Sequence, residues 1–158
     1  MNPCEGRSPA DPREITCGPG DAQTICQPLT VLIVEDSAIV SRRLAAAIEG
    51  AHGIALPEVA RDGAQARRVF ERVRPDVVLL DLHLPDISGL DLLREYKARQ
   101  PASTVLVLTS FAFAQLRARC VALGADGFFD KASEFEQAIA RVRRLGFARA
   151  SGSGGTPR

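Results

Sequence analysis

Several side chains able to do polar chemistry share one kind of position in this sequence, just after a short apolar run. Glu35 and Asp36 follow Thr30-Val31-Leu32-Ile33-Val34, and Asp81 follows Asp76-Val77-Val78-Leu79-Leu80. Thr109 and Ser110 end the run that starts at Thr104, and Lys131 comes soon after Phe128-Phe129. Brought together, three acids repel one another, and the arrangement is sensible only if a hard cation sits among them. Magnesium takes oxygen ligands in octahedral geometry and keeps some waters, which leaves places for phosphoryl oxygens. A carboxylate in that setting can act as a nucleophile and form an acyl phosphate. Lys131, Thr109 and the metal would neutralise charge developing on the transferred group. Taken singly, Asp36 also reads as a helix cap, Asp81 as a solvated strand end and Lys131 as a surface charge, because such side chains are mostly exposed. The conjunction carries the chemistry.

The elements that must position these residues alternate five times. The runs 30–34 and 76–81 are short and rich in β-branched and aliphatic residues, as strands buried on both faces are. Leu56–Arg61, Thr104–Ser110 and Phe128–Phe129 are read as the remaining strands. Asp36 or Ser37 can cap a helix carrying Val40, Leu44 and Ile48 at helical spacing. Asp62-Gly63 marks a turn before a helix over 64–72, closed by Pro75. A loop through Pro85 and Gly89 leads to a helix with Leu90, Leu93 and Tyr96 on one side. A fourth helix spans 113–123 and ends at Gly124. The last opens with Ser133-Glu134-Phe135-Glu136, a capping-box pattern, and aligns Phe135, Ala138, Ile139, Val142 and Leu145. This alternation predicts an α/β fold, a doubly wound parallel sheet with helices on both faces. In such sheets chemistry collects beyond the carboxyl ends of the strands, where the residues above lie.

The 158 residues are a one-domain length, and 20 basic against 19 acidic side chains leave a formal net charge of +1. No field of that size implies nucleic acid or an anionic membrane as a partner. The arginine pairs Arg42-Arg43, Arg67-Arg68 and Arg143-Arg144 fall on separate helices without interleaved aromatics, so a solvated face explains them. No apolar run is long enough to span a bilayer, and the first residues lack the pattern of a secretory signal, so a cytoplasmic location is expected. Cys4, Cys17, Cys26 and Cys120 fit no zinc spacing and are expected as free thiols, a disulfide or redox role for the first three being the alternative. Residues 1–28, with five prolines and no apolar periodicity, read as a disordered arm, 29–150 as the folded domain, and 151–158 as a flexible tail. Nothing after Ala150 has room for an output domain, so a stand-alone protein is expected.

With these residues in order and at these strand ends, the sequence resembles the two-component response-regulator receiver family over about residues 29–148. The resemblance implies the flavodoxin-like (βα)5 receiver fold, with five parallel strands. It further implies that Asp81 accepts a phosphoryl group from a histidine kinase or histidine phosphotransfer protein, and that Mg2+ binds to Asp36, Asp81 and the backbone carbonyl of His83, with Glu35 holding a metal-bound water. Thr109 would contact the phosphoryl group, and Lys131 would pair with Asp81 and then with the phosphate. Phe128 stands at the family's aromatic switch position; sheet packing beside Phe129 is its other reading. Where the family usually has proline after the lysine, this chain has Ala132, and a trans Lys131–Ala132 bond is expected because a cis bond there costs roughly 2.5–4 kcal/mol.

Two other functions compete with a phosphoacceptor switch that signals through an unknown downstream protein. One is a receiver-like interaction scaffold that takes no phosphate, against which stands the full set of side chains. The other is an aspartyl-phosphate hydrolase, whose relatives carry a second carboxylate two residues after the nucleophile; here that residue is His83. The switch reading makes the chain no enzyme beyond its own phosphorylation and dephosphorylation. On the fourth helix, Ala114, Ala118, Val121 and Ala122 form one stripe and Phe113, Leu116, Cys120 and Leu123 another. By resemblance to receivers, positions 118 and 121 face the sheet, which leaves Phe113, Leu116 and Cys120 as an outward partner-binding surface. Cover from neighbouring loops or the last helix is the alternative.

Overall fold

The computed structural model describes residues 15–16 and 25–152. The apolar runs become strands β3 (Val31–Val34), β4 (Glu58–Ala60), β5 (Val77–Leu80), β6 (Thr104–Thr109) and β7 (Gly127–Asp130). Between and after them lie helices α1 (Ala38–Ile48), α2 (Gly63–Val73), α3 (Gly89–Arg99), α4 (Ala114–Ala122) and α5 (Phe135–Ala150). The five strands pair in parallel in the order β4-β3-β5-β6-β7.

Successive side chains of a strand point to opposite faces, so each run splits its apolar residues between two cores. Leu32, Val34, Val78, Leu80, Val105, Val107 and Phe128 join residues of α2, α3 and α4 on one side. Val31, Ile33, Val77, Leu79, Leu106 and Leu108 join Leu44 and Ile48 of α1 and Ala138, Ile139 and Val142 of α5 on the other. Every residue of β3 and β5 is buried, which is why those two runs carry no polar alternation. The chain leaves β3 first toward β4 and then crosses to β5 on the other side. The carboxyl ends of β3 and β5 therefore flank the point where the winding reverses, the place in an open α/β sheet where a crevice forms.

Three expectations need correction. Within the segment read as a disordered arm, β1 (Ile15–Thr16) and β2 (Ile25–Cys26) pair antiparallel, two short stretches rich in β-branched residues; residues 1–14 and 17–24 lie outside the described residues. Ser133 does not cap α5. The N-cap is Glu134, whose side chain instead turns back to accept the Asp130 N–H at 2.8 Å. The orientation of α4 is the reverse of that expected. Cys120 is fully buried, Leu116 and Leu123 pack against the core, and Val121 is 61 % exposed, while of the proposed surface only Phe113, at 62 %, stands clear of the core. The Leu116–Cys120–Leu123 stripe offers more apolar area to the sheet than one built of alanines and a single valine, and burial favours the larger area. The Lys131–Ala132 bond is trans, as expected. Among the described residues no helix is long and apolar enough to cross a membrane.

This orientation separates two substitutions. Leu116→Ser should lower the free energy of unfolding by about 2 kcal/mol, whereas Phe113→Ser should change it by less than about 0.5 kcal/mol. Urea unfolding of both variants checks the difference, and equal effects would contradict the observed face of α4.

Candidate functional site

The site is built by helix capping as much as by strands. Ser37 caps α1, its hydroxyl accepting the Val40 N–H at 3.4 Å. Asp36 is thus spared that task and remains an exposed carboxylate at the end of β3. Beside it, Glu35 is buried, with one oxygen accepting the Ser37 N–H at 3.2 Å and the other 2.6 Å from Lys131 Nζ. Asp81, at the end of β5, repeats the pattern. Its Oδ1 accepts the N–H of His83, two residues on, at 3.2 Å, and its Oδ2 lies 3.0 Å from the same Lys131 nitrogen. Lys131 was expected to pair with Asp81; it bridges Asp81 and Glu35 and stands closer to Glu35.

The electrostatics follow from that crowding. Burial, the largest effect, pushes the Glu35 carboxyl above its ordinary value, and the nearby Asp81 charge adds to the rise against the pull of the Lys131 ammonium. Burial also works against the charge on Lys131, but its contacts with Glu35 and Asp81 prevail and hold the ammonium above its ordinary value. Glu35, Asp36 and Asp81 each offer an oxygen within 4.8 Å of the others. Three carboxylates against one ammonium leave two negative charges uncompensated when all are ionised. An all-oxygen donor set with that deficit fits a hard divalent cation such as Mg2+.

The loop from Asp81 to α3 is fixed from two directions. Gly89 N–H donates to the Leu82 carbonyl at 3.1 Å, and a Cβ at Gly89 would lie 2.5 Å from Leu82 Cα and 2.6 Å from the Asp81 carbonyl oxygen, so only glycine allows this approach. Asp86 reaches across to α2 and accepts the Gly63 and Ala64 N–H groups at 2.7 and 3.0 Å, while the N-cap Asp62 takes that of Gln65 at 2.7 Å. The first three orphan donors of α2 are thereby satisfied, two of them by the loop that carries His83. The Gly63 bond, above all, holds the Asp86 carboxyl below its ordinary value.

On the other flank, Thr109 is fully buried and its Oγ1 accepts the Phe111 N–H at 3.2 Å. The Lys131 N–H donates to the Thr109 carbonyl at 2.9 Å, so β6 and β7 deliver hydroxyl and ammonium in fixed relation. Phe128 is buried in the core opposite Val107, its outer face covered by the Arg117 guanidinium 4.8 Å from the ring centroid. The structure thus gathers Glu35, Asp36, Asp81, Lys131 and the His83 backbone, puts Thr109 alongside, and buries Phe128 in the core below them. Leu116 and Phe113 line a neighbouring groove, and Cys120 does not reach it. Sequence reasoning missed Asp86 and Phe111. Asp86 follows Pro85 in the loop and caps a helix that starts more than 20 residues upstream, a relation no local pattern reveals.

Comparison with known proteins agrees with this geometry. The description of the response regulator receiver domain family matches residues 31–143. A protein-glutamate methylesterase/protein-glutamine glutaminase of Treponema pallidum is 38 % identical over 116 residues, covering 72 % of this chain and 29 % of that protein. A probable transcriptional regulatory protein of Mycobacterium tuberculosis is 36 % identical over 121 residues, covering 75 % of this chain and 50 % of that protein. The chain thus spans half or less of the length of these relatives. The crystal structure of the signal receiver domain of a DNA-binding response regulator from Colwellia psychrerythraea superposes with a TM-score of 0.68 at 26 % identity, covering 74 % of this chain and 97 % of that one.

Removing Lys131 tests the charge balance. Lys131→Met leaves two buried carboxylates without their shared cation and should cost about 3 kcal/mol of stability at neutral pH. Because the Lys131 pKa is raised on folding, its contribution is fully present at neutral pH and is lost only as pH climbs through the folded value. The deficit of the variant should shrink as pH falls and the Glu35 carboxyl, already held high by burial, takes up a proton. Chemical unfolding at pH 7 and pH 5 reads both effects; a deficit that grows in acid would contradict the arrangement.

Proposed function

Since the chain belongs to the response regulator receiver domain family, we propose that Asp81 is its phosphoacceptor and that phosphorylation there controls contacts with a downstream protein. Receiver domains are phosphorylated by histidine kinases or phosphotransfer proteins. The observation that carries the assignment is the placement of Asp81: nearly buried at the end of β5, 3.0 Å from Lys131, with the Glu35 and Asp36 carboxylates within 4.8 Å.

A carboxylate oxygen of Asp81 attacks the phosphorus of the donor phosphohistidine. A P–O bond forms, the P–N bond breaks, and its electron pair leaves with the imidazole nitrogen. The His83 N–H and the Lys131 ammonium orient the nucleophile, each on a different oxygen. Asp36, Asp81 and the His83 carbonyl would hold Mg2+, with Glu35 on a metal-bound water, and the ion would supply the positive charge that the cluster lacks. Lys131 then shifts part of its contact from Asp81 to the phosphoryl oxygens while keeping Glu35. The Thr109 oxygen accepts from Phe111 N–H, which leaves its own hydrogen to donate to the phosphoryl group. That donation draws on the 109–113 loop and, through β7, on Phe128, the two switch positions. The methylesterase named above is by its name an enzyme as a whole protein, and this chain matches 29 % of it; for this chain we propose no catalysis beyond its own phosphoryl chemistry, carried out in the cytoplasm where receivers typically act.

Incubation with acetyl phosphate and Mg2+ should add one phosphoryl mass to the intact protein. Asp81→Asn or chelation of the metal should abolish the gain. Label that survives Asp81→Asn would overturn the assignment, and a wild-type protein that never takes label would favour the phosphate-independent scaffold.

A further inference from the structure

We propose that a groove between the end of α1 and the last turns of α5 docks an acidic segment of a partner protein, at the edge of the sheet away from Asp81. Each of these helices leaves the carboxyl end of a strand and runs back along the sheet, so both finish at the opposite edge from the acidic cluster. There Glu49, Gly50, His52, Arg143, Arg144 and Phe147 line an opening of about 500 Å³. Its walls are fixed. Arg143 donates from Nε and Nη2 to the Ala47 carbonyl at 3.0 and 2.6 Å, which staples α5 to an orphan carbonyl in the last turn of α1. Gly53 has a φ of +76°, and a Cβ on it would collide with the Gly146 carbonyl oxygen, so the loop after α1 rests directly on α5. That loop sets His52 beside Phe147, with ring centroids 6.1 Å apart. A groove already built before its ligand arrives loses little entropy on binding.

The chemistry of the occupant follows from which charges are already paired. On α2 and α3, Arg67, Arg72, Arg94 and Arg99 face Glu95, Glu58, Asp91 and Glu71 respectively. Among the described residues, the arginines of α1 and α5 face no carboxylate, apart from Arg149, which reaches Asp76. Arg143 and Arg144 are both exposed, and Arg143 keeps Nη1 clear of its bonds to Ala47. Arg43, 4.4 Å over the Phe135 ring, continues the basic row along the seam between the two helices. Glu49 at the rim and Glu136 near the start of α5 are the acids of this seam, two carboxylates against the three guanidiniums of Arg43, Arg143 and Arg144. A carboxylate set between Arg143 and Arg144 would make the charge-assisted bonds that neither finds within the chain. Phe147, 63 % exposed, offers an apolar side chain of the same segment a face to cover. An acidic segment with one apolar residue meets both demands, whereas a flat anionic membrane would press against Glu49 and leave the recess unfilled. Because the groove lies away from Asp81, its occupant can stay bound through phosphorylation, as an anchor and not as the switched contact.

The test is fluorescence anisotropy of two labelled peptides with the full chain, one of glutamates around a single leucine and the other with glutamine in place of every glutamate. The acidic peptide should bind and the glutamine peptide should not. Arg144→Glu should weaken binding on the order of tenfold, Phe147→Ser should weaken it as well, and Glu49→Gln should strengthen it. Melting temperatures of the three variants should stay at the wild-type value, since all three side chains are exposed. Absence of binding by the acidic peptide overturns the proposal, as does equal affinity in wild type and Arg144→Glu. Vesicles of phosphatidylcholine and phosphatidylserine that displace the acidic peptide also overturn it, because the surface would then serve a membrane. Acetyl phosphate and Mg2+ should leave the affinity unchanged, and a shift on phosphorylation would overturn the role as an anchor.

Discussion

Two carboxylates buried at the ends of neighbouring strands, sharing one ammonium, are the condition on which the rest of this structure depends. Glu35 and Asp81 cannot both stay ionised in a dry place without Lys131 between them, and Lys131 cannot satisfy both and Asp36 as well. The cluster is left short of positive charge by design of its backbone, because strand ends and helix caps, not side-chain preference, put the acids there. A site with that imbalance is poised to accept a cation and then a phosphoryl group, and it gives up stability to remain so.

The parallel sheet makes such a cluster possible. Burial of β3 and β5 on both faces removes every polar residue from the strands themselves and forces polarity to their ends. The reversal of winding between those two strands opens the space above them. Capping then sorts the acids by role: Ser37 takes α1, Asp62 and Asp86 take α2, and Asp36 and Asp81 remain for chemistry. The same sorting explains why Glu35 can be buried, since a backbone N–H and an ammonium occupy both its oxygens.

Most of this was legible in the residues. The five apolar runs and the polar residues at their ends needed only periodicity and the rule about strand termini. What was not legible depends on tertiary competition. The two stripes of α4 are nearly equal in apolar content by count, and only the volume that each fills against the sheet decides between them. Ser133 satisfies a local capping pattern, yet the backbone after β7 brings Glu134 and Asp130 together first. Asp86 and Gly63 are 23 residues apart, and their contact exists only once the loop and α2 are both folded.

That last contact ties two segments into one cooperative unit. When the 82–88 loop opens it strips the Gly63 and Ala64 amides of their partner, so its motion carries the cost of partly uncapping a helix, about 1 kcal/mol. Amide protons at the start of α2 therefore exchange with solvent at a rate governed by the loop, not by the helix, and the two behave as a single foldon. Any partner that moves this loop loosens the first turn of α2 as well, so the start of that helix senses events at Asp81 without a rigid-body displacement.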